Sequence, residues 1–449
     1  MDKPLPLSQW LNAPRPDETP VAWLDDRIWT LGDLRHDVTQ LVDALRQEEG
    51  ERWALCFENG YLFIVALLAT LHAGKTPVLP GHSRGAQLNE QRAMFGGVLS
   101  DTTLEFSGRL RLVTATAPTN TPFSPLPAID ETRVIELFTS GSTGTPQRVI
   151  KPVIGLDREA RLLADRFGER LTGCHVVASV VLHHLYGLTF RIVLPMALGL
   201  PLHASLLQYA EQLSALPQDK RYLFISSPAF LKRLDTSLVP PPVALLLSAG
   251  GELPWRDIIP CHDWLNVWPD EIYGSTETGV IAWRHRLDET TLWQPFPGVT
   301  FHGDRVTSPL ICEAEGVVLD DILHFAADGQ FNIVGRRGRV VKIEDKRISL
   351  DEIEQRLLAL DGICDAAALA VTRRGRQAIG VLLVLSDAAR LHRDNGGKNA
   401  QESAWRRALR PCLEPVAVPR YWRIVDEIPV NSMNKRVTAQ LQELFHEDS

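Results

Sequence analysis

Leu137-Phe138-Thr139-Ser140-Gly141-Ser142-Thr143-Gly144-Thr145-Pro146-Gln147-Arg148-Val149-Ile150-Lys151 is the stretch on which the fold turns. The apolar run leading into it, Val134 to Phe138, reads as a strand that ends in small residues. Gly141 and Gly144 open backbone dihedrals closed to other residues, so successive N–H groups can converge on an anion. The hydroxyls of Thr139, Ser140, Ser142 and Thr143 add donors for phosphate oxygens. An ordinary Ser/Thr/Gly turn has the same composition, so the loop alone does not decide its role. It is not a Walker loop, because no Lys-Ser or Lys-Thr follows its second glycine.

Upstream, the chain alternates. Val21 to Trp29 reads as a hairpin, and Leu34, Val38, Leu41 and Leu45 are spaced as one face of a helix. Trp53 to Phe57 is expected as a strand, Tyr61 to His72 as a buried helix and Thr76 to Leu79 as the next strand. That alternation predicts a doubly wound α/β sheet. Downstream, a helix is expected over Leu156 to Phe167, and strands over His175 to Val181, Leu223 to Ser226 and Ala244 to Leu247.

A length of 449 residues with 45% hydrophobic content suffices for one large domain and a smaller one. The net charge of −8 argues against nucleic acid as a partner. Six dispersed cysteines without a C-x-x-C pair fit reduced thiols in a cytoplasmic protein, and no signal peptide is read at the start. Ile192 to Ala210 lacks charge, but Pro195, Gly199, Pro201 and His203 interrupt it, so a buried core segment is expected rather than a membrane span. The adjacent His183 and His184 have no third ligand nearby in sequence, which favours a structural or pocket role over metal.

The loop at 139–144 resembles the phosphate-binding motif of the adenylate-forming superfamily: acyl-CoA synthetases, aryl-CoA ligases and peptide-synthetase adenylation domains. Further motifs of that family follow in order. Ser248-Ala249-Gly250-Gly251-Glu252 is similar to its small-residue turn, and Tyr273-Gly274-Ser275-Thr276-Glu277 to its second strong motif. Asp321, seven residues before Asp328-Gly329, and Gly335-Arg336 come next, then Lys435 near the end. The resemblance implies a large N-terminal α/β domain over 1–336 with a small β-rich part. A small mobile α+β domain over 337–449 would turn about a hinge at Gly338.

It also implies residue roles. Thr139 to Gly144 would hold phosphates; Gly250, Gly251 and Tyr273 to Ser275 would face the nucleotide, with Tyr273 on the adenine. Thr276 would contact the α-phosphate, and Glu277 the magnesium ion carried by ATP. Asp321 would take the ribose, and Arg336 would reach the nucleotide. His184, Ser248 and Ala249 would border the acid pocket, and Lys435 would be the catalytic cation. ATP, Mg2+ and a pantetheine thiol of CoA or an acyl carrier protein are the implied cofactors and co-substrates, with a small carboxylic acid as substrate.

The chain departs from the pattern in several places. Gln147 replaces the lysine after the loop proline, with Arg148 and Lys151 as alternative cations; Asn434 replaces a glycine before Lys435; Leu319-Asp320 replaces Thr-Gly. Asp345 stands where relatives have glycine beside the pantetheine channel, which makes a carrier protein a competitor to CoA. The chain is short for the family and resembles compact bacterial members of aryl-polyene pathways, which activate aryl or short unsaturated acids. The alternative reading is a catalytically silent nucleotide- or acyl-binding protein.

Overall fold

Val134–Ser140 is a strand, and it pairs antiparallel with Pro146–Pro152, the strand on the far side of the loop. The two strands form one edge of a six-stranded sheet whose remaining members run in the order Thr76–Leu79, Arg52–Cys56, Gly97–Ser100 and Leu110–Leu112. Those four strands and Val134–Ser140 pair parallel with one another, as the alternation with helices requires. The computed structural model describes residues 3–116, 125–140, 146–336, 339–343, 346–373, 376–413, 415–431 and 436–446.

A second, nine-stranded sheet has at its centre the parallel strands Cys174–Ala178, Arg221–Ser226, Val243–Ser248 and Asp270–Ser275. Gly279–His285 folds back antiparallel on the last of these, and the N-terminal hairpin of Pro20–Leu24 and Arg27–Thr30 closes the other side. The helix Gly60–His72 is apolar on every side and almost wholly buried, which fits a segment packed within the core rather than on its surface. Helix Leu31–Arg46 shows the expected stripe: Leu34, Val38, Leu41 and Leu45 are buried, and Thr30 caps its start by accepting the Asp33 N–H.

The uncharged run at 192–210 is a buried helical segment followed by the short strand Leu202–His203. No helix among the described residues is long and apolar enough to cross a membrane.

Two compact units divide the chain, Met1–Val317 and Val318–Ser449. The motif-based boundary at 336/337 lies inside the second. That unit has a three-stranded sheet of Ile363–Arg373, Arg376–Leu385 and Tyr421–Ile424, hairpins 321–336 and 340–349, and helices Leu350–Leu358 and Lys398–Leu409. Its own core gathers Ile353, Leu357, Val381, Leu383 and Trp405. By its polar sequence, with Asn395-Gly396-Gly397, the stretch Asp387 to Gln401 reads as a solvated loop, and the structure corrects this. The segment 387–401 is not a solvated loop but the helix Asp387–His392, a π-helical turn and the start of Lys398–Leu409. Ser386 caps its first turn, Gln401 donates to the Ala389 carbonyl, and Arg393 pairs with Glu402 at 2.9 Å. A polar, glycine-containing composition hid these contacts, which act across more than one turn.

In the first unit, helix Val153–Leu171 anchors the N-terminal segment through Asp157, which accepts the Leu7 N–H at 2.8 Å. Burial raises the Asp157 carboxyl from 3.8 to about 6. Between those values the folded state holds a proton that the unfolded chain releases, so this group's contribution is full below pH 3.8 and is lost as pH rises through about 6. Asp157→Asn, which keeps the acceptor and cannot ionise, is expected to match the parent near pH 3.5 and to exceed its stability at pH 7, read from urea-unfolding midpoints.

Candidate active site

Four parallel strands of the second sheet end on the same edge, and their carboxyl ends and following turns carry Ser179, Ser226, Ser248 to Gly251, and Tyr273 to Glu277. In open parallel sheets, ligands bind beyond the carboxyl ends of the strands, where backbone groups are not consumed by the ladder. The turn after Val243–Ser248 suits this. Gly250 adopts φ 91°, a conformation that costs other residues, and Gly250 and Gly251 are both exposed. Ser248 is 1% exposed, and its hydroxyl has no hydrogen-bond partner among the described residues.

Tyr186 stitches this edge together. Its hydroxyl donates to the carbonyls of Ser226 at 3.1 Å and Leu247 at 3.2 Å, so it holds the ends of two adjacent strands in register. Desolvation of the hydroxyl pushes its phenol up. The two histidines just before it lie against each other with ring centroids 4.7 Å apart, and burial pushes His183 down to about 3, so it is neutral at physiological pH. A Cβ at Gly81 would lie 4.0 Å from the His184 ring and 2.9 Å from the Phe138 carbonyl. His184 therefore sits near the strand that opens the phosphate loop. Sequence reading placed His184 at the pocket but had no signal for Tyr186, whose role depends on which strands become neighbours.

Strand Asp270–Ser275 is fixed by buried charges at its start. Asp270 pairs with Arg170 at 2.7 Å, and Glu271 with Arg284 at 2.8 Å and Arg286 at 2.7 Å. These contacts orient Tyr273, whose ring lies 5.6 Å from Trp293, with the Arg284 guanidinium 4.3 Å above Trp293. Thr276 and Glu277 project from the turn that follows, and both are half-buried. The turn is closed by the Ser275 N–H donating to Thr278 Oγ1 at 2.9 Å and the Thr278 N–H donating to Ser275 Oγ at 3.2 Å.

Gln147 and the two alternative cations that follow it have separate fates. Gln147 is exposed; Arg148 is spent on the buried Glu136, at 2.8 Å. Lys151 is 7% exposed and donates from Nζ to the Glu277 carbonyl at 2.9 Å. Burial lowers its pKa, while the carboxylates of Glu159 and Glu277 oppose that shift.

Glu277 is compatible with the magnesium ion of a nucleotide. Among the described residues no group of three or more His, Cys, Asp or Glu could hold a metal, so a protein-only cage is absent there. A single half-buried carboxylate suits an ion that keeps phosphate and water oxygens as its other ligands.

In the second unit, Asp321 starts a strand and stands opposite Arg336 in the antiparallel register. Arg339, just beyond Gly338 in sequence, pairs with Asp351 at 2.5 Å and with Glu354; Arg436, just beyond Lys435, reaches the other Glu354 oxygen at 3.4 Å and Asp365 at 2.6 Å. The Glu354 carboxylate also accepts the Ala368 N–H at 2.6 Å. Gly141, Ser142, Thr143, Gly144, Gly338, Asp345, Asn434 and Lys435 lie outside the described residues, as do the side chains of Ser140 and Arg336. Thr139 is described, with its hydroxyl 3.5 Å from the Gln147 carbonyl.

The family model of the AMP-binding enzyme matches residues 9–321. The chain belongs to the AMP-binding enzyme family. A 4-coumarate–CoA ligase of Halorhodospira halophila is 27% identical over 324 residues, covering 69% of this chain and 76% of that protein. Among solved structures, ATP-bound MatB from Rhodopseudomonas palustris has a TM-score of 0.79 at 17% identity, covering 99% of both chains. A benzoate CoA ligase from Burkholderia xenovorans LB400 has a TM-score of 0.77 at 18% identity, covering 98% of this chain and all of the other. The similarity to these two structures establishes the fold.

Like its family, this AMP-binding enzyme is an AMP-forming acid–thiol ligase. It activates a small carboxylic acid with ATP and forms a thioester, with ATP, Mg2+ and a pantetheine thiol as co-substrates.

Gly187 shows how tightly the His184 segment is held: a Cβ there would meet the Val181 carbonyl at 1.8 Å. Gly187→Ala must displace that backbone. It is expected to cost about 3 kcal/mol or more by urea unfolding and to raise the KM for the acid more than that for ATP.

Proposed function

We propose that this enzyme activates an aryl or short unsaturated carboxylic acid, and that its motif residues carry the roles their family positions imply. The similarity to 4-coumarate–CoA ligases, three-quarters of whose length is matched, supports the aryl preference. A neutral, half-buried His183 and the unpartnered Ser248 hydroxyl beside the candidate pocket suit a ring that needs a few polar contacts rather than a long acyl chain.

The single observation that carries the reading is the convergence in the first unit of the strand ending at Ser140, His184, the Ser248 turn and the Tyr273–Glu277 turn. Tyr273 would stack on adenine, with Gly250, Gly251, Gly274 and Ser275 lining the nucleotide. Thr139 to Gly144 would take the outer phosphates, and Thr276 the α-phosphate. Glu277 would hold the magnesium ion, which screens the triphosphate charge when bound. Asp321 and Arg336 would grip the ribose and the nucleotide edge.

The substrate carboxylate attacks the α-phosphorus, pyrophosphate leaves, and the acyl adenylate forms. Two unit negative charges about 4 Å apart repel by about 4 kcal/mol at an effective dielectric near 20, roughly a thousandfold in rate. Lys435 would neutralise them. A domain beginning at about residue 337 would then turn about Gly338, withdraw the lysine and admit the thiol. The thiol sulfur attacks the acyl carbonyl and AMP leaves with the bonding electrons. Asp345, where relatives have glycine beside the pantetheine channel, makes a carrier-protein pantetheine a competitor to CoA as acceptor. Six free cysteines suit a reducing cytoplasm.

Lys435→Ala is expected to lower acid-dependent pyrophosphate–ATP exchange by about a thousandfold while sparing thioester formation from supplied acyl adenylate. Undiminished exchange would refute its role. Exchange assayed over benzoates, cinnamates and fatty acids, followed by mass spectrometry with CoA and with holo carrier protein, tests the acid and the acceptor. ATP binding without exchange across that whole panel would instead favour the silent-protein reading.

A further inference from the structure

The turn that carries Glu277 is tied to two other parts of the first unit by oppositely charged, buried side chains. From strand Pro146–Pro152, Lys151 donates to the Glu277 carbonyl at 2.9 Å. From helix Val153–Leu171, Glu159 accepts the Val280 N–H at 2.8 Å through Oε1 and the Thr189 hydroxyl at 2.7 Å through Oε2. Lys151 is 7% exposed and Glu159 is 3% exposed. Gly279 fits between the turn and the carboxylate: it has φ 69°, and a Cβ there would stand 2.8 Å from Glu159 Oε1.

Burying an ammonium costs several kcal/mol unless nearby charge and hydrogen bonds compensate. Here Glu159 and Glu277 supply the charge, and the ammonium's hydrogen bond goes to the main chain of the residue that bears the metal-facing carboxylate. An apolar side chain of the same length would fill the space without that cost, but would leave the Glu277 carbonyl without its donor. The turn's internal bonds, Ser275 to Thr278, fix its shape but not its position relative to the phosphate-loop strand. Lys151 is the side chain that spans the two.

We infer that Lys151 is a positioning residue for the metal–nucleotide site: from the strand that follows the phosphate loop, it holds the main chain of Glu277 so that the carboxylate meets the ion bound to the phosphates. Glu159 anchors the other end of the same turn and joins it to the segment that follows His184. The inference rests on the reading of Glu277 as the metal carboxylate. It gives Lys151 no contact with substrate.

The test is calorimetric binding of α,β-methylene ATP to the full chain at stepped Mg2+ concentrations. Loss of an outer-shell partner costs roughly tenfold to a hundredfold in metal affinity, so Lys151→Met is expected to raise the Mg2+ concentration of half-maximal effect by about tenfold. Metal-free nucleotide affinity should hold within about threefold, since only the metal site is disturbed. Lys151→Gln, which keeps a donor at shorter reach, should fall between, and serves in place of the methionine variant if that one does not fold. Glu277→Gln should shift the Mg2+ dependence at least as far, and the double variant Lys151→Met/Glu277→Gln no further than Glu277→Gln alone. Additive effects, or equal losses with and without Mg2+, would overturn the inference. If Glu277→Gln shifts the Mg2+ dependence and neither Lys151 variant does, the inference fails and the Glu277 reading stands. If Glu277→Gln leaves it unmoved, both fall.

Discussion

Parallel pairing of strands 174–178, 221–226, 243–248 and 270–275 is the constraint on which the first unit depends. Parallel neighbours need crossover connections, and those connections put every strand's carboxyl end on one edge. Backbone groups at that edge have no ladder partner on the far side, so they are available to turns and to ligands. The serine and glycine turns at 248–251 and the turn at 275–278 occupy that edge because the pairing puts them there. Small residues in those turns leave the backbone exposed to whatever binds.

Holding such an edge requires contacts that cross between elements, and here they are polar and buried. Tyr186 bonds to two strand ends, Glu271 takes two arginines, Glu159 takes an amide and a hydroxyl, and Lys151 takes a carbonyl. A buried polar group fixes geometry more narrowly than apolar packing does, because a small displacement leaves it unsatisfied at a cost of about 1–3 kcal/mol. That is a physical reason for polar groups to be buried where strand ends and turns must be held in place.

The second unit uses the same device on a smaller scale. Glu354 lies on helix Leu350–Leu358 and is engaged by Arg339 and Arg436, which follow Gly338 and Lys435 in sequence. Desolvation raises the Glu354 pKa despite both guanidinium groups, which reflects how thoroughly the carboxylate is removed from water. Removing either arginine would leave charge buried without its counterpart.

Much of this was legible in the amino-acid order. The alternation around residues 53–79, the helical stripe of Leu34 to Leu45 and the motif order from Thr139 to Lys435 determined the fold class, the family and the candidate residues. These signals are local, or depend only on spacing along the chain. The helical character of residues 387–401 was not legible, because polar composition conceals a cap at Ser386 and an ion pair nine residues apart in sequence. Nor could sequence choose between Arg148 and Lys151 as the cation that makes up for Gln147, since their partners lie far along the chain or across a sheet. Glu136 takes Arg148, and Glu277, more than a hundred residues on, takes Lys151. Tertiary structure alone decided those pairings, because a buried charge is set by which groups packing brings within bonding distance, and spacing along the chain carries no such information.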